Sequence, residues 1–233
     1  MTEHTFKQFD AELENIRNRV LQMGGLVEQQ IIKAMEGLIE SDVLLLDQVI
    51  NNDNRVNAAE VALDETCSHI IARRQPAAVD LRMIMTVIKT ITDLERIGDE
   101  AKKIAKFAKL IHSAESAFVP RVELRHEADL AVAMLRQALD AFARLDVTAA
   151  ADVVRQDKQV DNEFRSIMRQ LITFMMEDPR TISRGLEILF ISKSIERIGD
   201  HAKNISEYVV YMVKGRDVRH IGLAEIEREI LSS

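Results

Sequence analysis

The amino-acid sequence predicts an all-α protein built as two tandem antiparallel three-helix bundles related by internal duplication. Three observations carry this. Ala, Leu, Ile, Met, Glu, Lys and Arg dominate a 233-residue chain that is 47% apolar, with 4% aromatics and no Trp; that is helical usage. No stretch alternates with period two, whereas long stretches repeat apolar residues at steps of three and four. Finally, the segments Leu94–Ile104 and Ile195–Ile205 agree at eight of eleven positions, including Glu-Arg-Ile-Gly-Asp at 95–99 and 196–200.

The elements follow in order. A first helix is expected over 5–40. Asp42 stands where an N-cap would open the second, 42–75, in which Val49, Val56, Leu63 and Ile70 recur by sevens before Pro76 stops it. The third, 78–113, carries Val87, Thr90, Leu94, Ile97, Ala101, Ile104, Ala108 and Ile111 as a coiled-coil-like packing seam. Pro120 marks the start of a fourth helix, 119–145, and Asp146 caps a fifth, 148–177. After Pro179 the sixth, 180–214, repeats the third seam with Ile195, Ile198, Ala202, Ile205, Val209 and Met212 and stops at Lys214-Gly215. Short loops make neighbouring helices antiparallel. The bundles therefore span 5–113 and 119–214, and a tail of 215–233 holds a short helix near 223–231.

The duplication extends past the motif. Asp42-Val43 recurs as Asp146-Val147, and Val49, Asp53 and Val56 recur as Val153, Asp157 and Val160. The offset there is 104 residues and falls to 101 at the motif, a slippage located in the loops around Pro76 and Pro179, where deletion is tolerated.

Composition excludes several classes. A net charge of −7, with basic residues interspersed among acidic ones and few aromatics, argues against nucleic-acid binding and direct adsorption to an anionic membrane. No apolar run is long enough to span a bilayer, and the start of the chain lacks a signal-peptide pattern. A lone cysteine, Cys67, fits a reducing compartment, so a cytoplasmic location is expected. No Gly-rich phosphate loop, His-Glu-x-x-His or nucleophile elbow is present.

The repeated acids have two readings. At 3.6 residues per turn, Glu95 and Asp99 point away from the Leu94/Ile97/Ala101/Ile104 seam, and Ile84, Ile88 and Ile91 share that outer face. An apolar patch there is expected to meet another surface. One reading is a solvated face with Asp99–Lys103 and Arg96–Glu100 pairs. The other is a cation site, in which Glu95/Asp99 are joined by Asp53, Asn57 and Glu60, and Glu196/Asp200 by Asp157 and Asp161. Oxygen ligands suit Mg, Mn or Fe, with Zn a further candidate. A ferritin-like di-iron site needs Glu-x-x-His, and positions 98 and 199 are Gly. His201 is expected on the solvated surface. Mid-helix glycine costs about 1 kcal/mol against alanine, so Gly98 and Gly199 imply close approach of another helix, a ligand or a partner.

The doubled Leu/Ile-Glu-Arg-Ile-Gly-Asp-x-Ala-Lys motif, the segment Ala72-Arg73-Arg74-Gln75-Pro76-Ala77-Ala78-Val79-Asp80-Leu81-Arg82 and the opening from Phe9 to Gly25 together resemble the PhoU family, over residues 5–222. The resemblance implies paired three-helix bundles, usually homodimeric, held at the cytoplasmic side of the inner membrane through partners. It implies a negative regulator of the phosphate regulon that modulates phosphate uptake, linking the ATPase of the phosphate ABC transporter, PstB, to the sensor histidine kinase PhoR. Arg73, Arg74 and Arg82 would then serve partner docking. Some members bind metals at Glu/Asp-x-x-x-Asp motifs, which map onto Glu95/Asp99, Glu196/Asp200 and Asp157/Asp161; Asn57 departs from the motif opposite Asp53. The alternative is a carboxylate-rich metal-binding helical protein with a storage or catalytic metal.

Overall fold

The computed structural model describes residues 2–113, 120–219, 221, 222, 225 and 228. They form α1 (Thr2–Glu40), α2 (Val43–Arg74), α3 (Ala78–Ser113), α4 (Leu124–Arg144), α5 (Val147–Glu177) and α6 (Ile182–Lys214). Among the described residues there is no strand. The expected tail helix near 223–231 lies largely outside them.

Local chemistry sets the boundaries. The Asp42 carboxylate accepts from the Leu45 amide at 3.0 Å, and that of Asp146 accepts from the Thr148 and Ala149 amides at 2.9 and 3.0 Å. These are the two expected N-caps, each satisfying amides that the first helical turn leaves unpaired. Gly215 ends α6 in the left-handed region at φ 76°. Glycine takes that conformation without a Cβ penalty, and the Arg82 guanidinium occupies the space a Cβ would fill.

Two starts differ from expectation. α4 begins at Leu124, not 119, because residues 120–123 are non-helical and the Glu123 carboxylate caps the Arg125 amide at 3.1 Å. α6 begins at Ile182, because Asp178 caps a separate 3₁₀ turn over Pro179–Thr181.

Each half is an antiparallel trio. In the first, Glu12 meets Arg74, Gln30 reaches Val49, and α2 returns on α3 through Asp47–Lys109 and Asp53–Lys102. In the second, Gln156 meets Gln137 and Asp157 meets Lys203. The halves join where α3 packs along α6 and α1 along α4. On the α1–α4 side, Arg17 donates to the Ala143 carbonyl at 2.6 Å and Arg136 pairs with Glu28 at 2.7 Å.

The structure corrects the outer face assigned to α3. Ile84 and Ile91 are fully buried, and Ile88 is half-buried at the edge of the core. Ile84, Ile91, Gly98 and Ala105 recur by sevens as a second stripe, and Gly98 lies against Val56 of α2. The helix is packed by α1, α2 and α6 together, so one seam does not account for its burial. Ile84 and Ile91 offer no surface to a second molecule, and Ile88 offers only part of its side chain. Cys67 is buried and its thiol is pushed up to about 11 by burial, which makes it a packed side chain and not a reactive thiolate. Among the described residues no helix is long and apolar enough to cross a membrane.

The repeated glycines sit at matching helix crossings with unequal room. A Cβ at Gly98 would lie 3.2 Å from Val56 Cγ1, and one at Gly199 would lie 3.5 Å from Val160 Cγ1. Gly199→Ala is therefore expected to stabilise the fold by about 0.5–1 kcal/mol through helix propensity. Gly98→Ala should gain less or lose stability, because Val56 has to shift. Urea unfolding of both variants checks the order; equal effects would contradict it.

Candidate functional site

The duplication sets each Glu-x-x-x-Asp motif against the helix before it. In the first half Asp53 is 1% exposed. Its Oδ2 accepts from Lys102 Nζ at 2.6 Å and from Asn57 Nδ2 at 3.5 Å. Asp99 Oδ1 stands 4.0 Å from the same ammonium. Burial, and then the charges of Asp99, Glu60 and Asp53, push the Glu95 carboxyl above its usual range, so these four acids share one field. Asp53 Oδ1 and Asn57 Oδ1 are buried without a hydrogen-bond partner.

The second half repeats the arrangement. Asp157 Oδ2 accepts from Lys203 Nζ at 2.7 Å. The Asp200 carboxyl is raised by burial and then by Glu196 and Asp157. Glu196 pairs with Lys193 one turn away, and Asp161 turns to Arg165 on its own helix at 3.2 Å. The structure thus gathers Asp53, Glu60, Glu95 and Asp99 in one cluster and Asp157, Glu196 and Asp200 in the other, with Asp161 directed elsewhere. Among the described residues no three His, Cys, Asp or Glu side chains stand in position to hold a metal ion. The residues present argue against a resident metal: a lysine ammonium holds Oδ2 of each central carboxylate, and in the first half this leaves Asp53 Oδ1 and Asn57 Oδ1 as the two buried oxygens without a hydrogen-bond partner.

Between the halves runs a polar seam. Lys89 Nζ lies 5.5 and 5.1 Å from the ring centroids of Tyr208 and Tyr211, within cation–π range. Asp93 Oδ1 lies 2.6 Å from His201 Nδ1 and accepts from Asn204 Nδ2 at 3.3 Å. Glu100 pairs with Lys103 at 2.9 Å and with Arg197 at 3.2 Å. Phe107 stacks on Phe190 at 5.1 Å, and Arg184 donates to the Leu110 carbonyl at 2.9 Å.

Two expectations are corrected here. His201 is buried at the interface, not on the solvated surface. Glu100 is buried against Arg197 rather than paired with Arg96, and Lys103 bonds Glu100 rather than Asp99. Both differences have one cause: α3 and α6 are neighbours, and these side chains face each other across their contact.

The three arginines near the second loop differ in role. Arg74 makes a two-point bond with Glu12 at 3.0 and 2.6 Å, tying α2 to α1. Arg82 is half-buried against the end of α6, where its charge suits the helix C-terminus. Arg73 is exposed and lines a cleft of about 410 Å³ with Gln8, Asn15 and His69.

Glu127 is a residue that sequence reasoning missed. It is fully buried, and Ser192 Oγ lies 3.0 and 2.8 Å from its two carboxyl oxygens. Burial pushes its carboxyl up to about 8, against the opposing pull of the Ser192 hydrogen bond. Glu207 is likewise raised to about 7, by burial. A signal was present: Glu127 precedes Ala131, Met134 and Ala138 at core spacing, so it falls on the buried stripe of α4.

The sequence model of the PhoU domain matches residues 20–108 and 124–209, one domain in each half. A Pseudomonas putida protein named phosphate-specific transport system accessory protein PhoU homolog is 51% identical over 232 residues, covering 99% of this chain and 90% of that protein. The Escherichia coli K12 protein named phosphate-specific transport system accessory protein PhoU is 48% identical, covering 98% of this chain and 94% of its own length. The crystal structure of PhoU from Pseudomonas aeruginosa superposes with a TM-score of 0.85 at 50% identity, covering 89% of this chain and all of that one. The phosphate transport system regulatory protein PhoU from Streptococcus pneumoniae gives a TM-score of 0.84 at 29% identity, covering 90% of this chain and 99% of that one.

The raised carboxyls give stability a pH dependence of definite sign. Both acids hold protons in the folded chain above the usual 4.5, so the folded state binds more protons than the unfolded one. Stability therefore falls as pH rises from about 4.5, until Glu207 ionises near 7 and Glu127 near 8. Glu127→Gln keeps an acceptor for Ser192 and removes this penalty. Its stability relative to the parent chain, from urea unfolding, is expected to improve between about pH 5 and about pH 8. A difference independent of pH would contradict the assignment.

Proposed function

The chain belongs to the PhoU family, and on that premise we propose that it is an accessory protein of phosphate-specific transport. In this reading it acts as an adaptor that represses the phosphate regulon and limits uptake when phosphate is plentiful. One observation carries the reading: near half of all residues are identical, end to end, with relatives named for that role. It works by docking and not by catalysis, as a cytoplasmic homodimer that reaches the membrane only through the transporter. Its partners are the transporter ATPase PstB and the histidine kinase PhoR. To repress, it must bind one state of the kinase more tightly than the other, since equal affinity for both shifts nothing.

A face suited to docking lies beside the polar seam. Ile182, Leu186 and Phe190 follow at steps of four on α6, each more than 40% exposed, with Leu110 of α3 at 50%. An apolar strip of this kind on a soluble helix pair supports an interaction surface, and it spans both halves of the molecule.

Co-purification from cells grown in high and low phosphate tests the reading. The transporter ATPase and the kinase are expected to accompany the wild-type chain, with greater recovery in high phosphate. Ile182→Asp with Leu186→Asp is expected to reduce recovery of at least one partner and to derepress a phosphate-regulon reporter while leaving Tm near wild type. Sedimentation equilibrium should give twice the 26.5 kDa chain mass. Recovery of neither partner under either condition would end the adaptor reading.

A further inference from the structure

We propose that the ammonium groups of Lys102 and Lys203 are the resident cations of the two carboxylate clusters, so that this chain bridges its helices there without a metal ion. The family's Glu/Asp-x-x-x-Asp motifs raise the expectation of a metal, and the side chains actually present contradict it.

The two halves give the same answer independently. Lys102 and Lys203 each stand three residues after the motif aspartate, on α3 and α6. Each reaches across to the preceding helix, to Asp53 Oδ2 at 2.6 Å and to Asp157 Oδ2 at 2.7 Å. These lysines are related by an offset of 101 residues, and their aspartates by 104. The pair has therefore been kept although the two helices slipped by three residues relative to one another in sequence. Cross-helix contact at matched places, despite that slippage, is what a shared structural role produces.

Charge leads the same way. The carboxylates of Asp53 and Asp157 are 1% and 8% exposed, and a buried carboxylate needs a cation or a set of donors close by. A divalent ion bonded at Oδ2 would have to displace the ammonium, which is tethered to the same helix as the motif, and one bonded at the unpartnered Asp53 Oδ1 would lie next to that ammonium on the same carboxylate. The displaced lysine would then sit beside two further positive charges. In the second half Glu196 is engaged by Lys193 and Asp161 by Arg165, which leaves Asp200 as the acid beside Asp157. In the first half Asn57 stands where the repeat has Asp161, and it contributes a neutral amide. The lysine performs the bridging that a metal would, α3 to α2 and α6 to α5, with one charge in place of two.

The test uses the full-length chain. Protein purified without chelator from cells supplied with iron, zinc and manganese is analysed for metal by plasma mass spectrometry, then dialysed against Mn²⁺ or Zn²⁺. The proposal expects no stoichiometric metal and no change of Tm with EDTA. Stoichiometric metal that disappears in the Glu95→Gln, Asp99→Asn, Glu196→Gln, Asp200→Asn variant would overturn it. Lys102→Met is expected to lower Tm by several degrees and Asp53→Asn added to it to recover much of the loss, since the two groups lose their partner together. The matching pair is Lys203→Met and Asp157→Asn. A Lys102→Met chain as stable as wild type would also overturn the proposal. If the lysine variants fail to fold, the metal content of the wild-type chain decides.

Discussion

The antiparallel contact of α3 with α6 is the constraint on which the rest of the molecule depends. A three-helix bundle alone would leave α3 with one face in water, yet here that face meets its own duplicate and buries Asp93, Glu100 and His201. Each buried polar group has to find a partner on the opposite helix. Identical halves could not supply them. Glu100 and His201 occupy equivalent positions of the repeat, as do Lys103 and Asn204. Were residue 201 a glutamate like its counterpart, it would face Asp93 inside the seam. Two of the three differences between the repeated eleven-residue segments therefore fall where the halves touch. Divergence made the duplicate a complement of the original.

The other features follow from that packing. With α6 on one side of α3 and the bundle core on another, the motif acids are left facing α2, and by the same logic those of α6 face α5. There the glycines allow Val56 and Val160 to approach, and the approach brings Asp53 and Asp157 within reach of a lysine on the neighbouring helix. Gly98 and Lys102, or Gly199 and Lys203, lie one turn apart and act together: the first sets the helix spacing, the second neutralises the carboxylate that this spacing buries. The two halves consequently behave as one body through α3–α6 and α1–α4, and a strip such as Phe190 with Leu110 is presented by both at once.

Much of this was legible in the sequence, for identifiable reasons. Asp42, Asp146 and Gly215 act within a few residues of themselves, so their roles as caps and stop could be read locally. The six helices and their antiparallel order came from periodicity and loop length. Ile84, Ile91 and His201 could not be placed the same way, because their burial comes from a helix about a hundred residues away. Periodicity reports one apolar stripe per helix, and α3 has neighbours on three sides. The acids of the candidate site were named from their spacing, but the lysines bonded to them were passed over. Lys102 and Lys203 were visible as conserved members of the repeat; what the sequence lacked was the crossing angle that aims them at Asp53 and Asp157. Glu127 lies in the first turn of α4, where a glutamate also suits the helix dipole, and only its spacing to Ala131, Met134 and Ala138 sets it in the core.

The source of the cation in the clusters bears on how an adaptor of the proposed kind is controlled. A dissociable metal couples stability to its free concentration, since occupancy adds a term that grows with the ratio of ligand to Kd. A tethered ammonium has no such dependence: its local concentration is set by the helix, and only a competing charge or a change of pH far into the alkaline range removes it. A chain bridged by Lys102 and Lys203 therefore presents the same rigid body whatever metals the cell holds. Any switching then has to come from the partner, through a difference in affinity between its two states. Under the proposed adaptor function, this places the phosphate signal in the proteins to which the chain docks and gives the chain itself the role of a fixed, complementary surface.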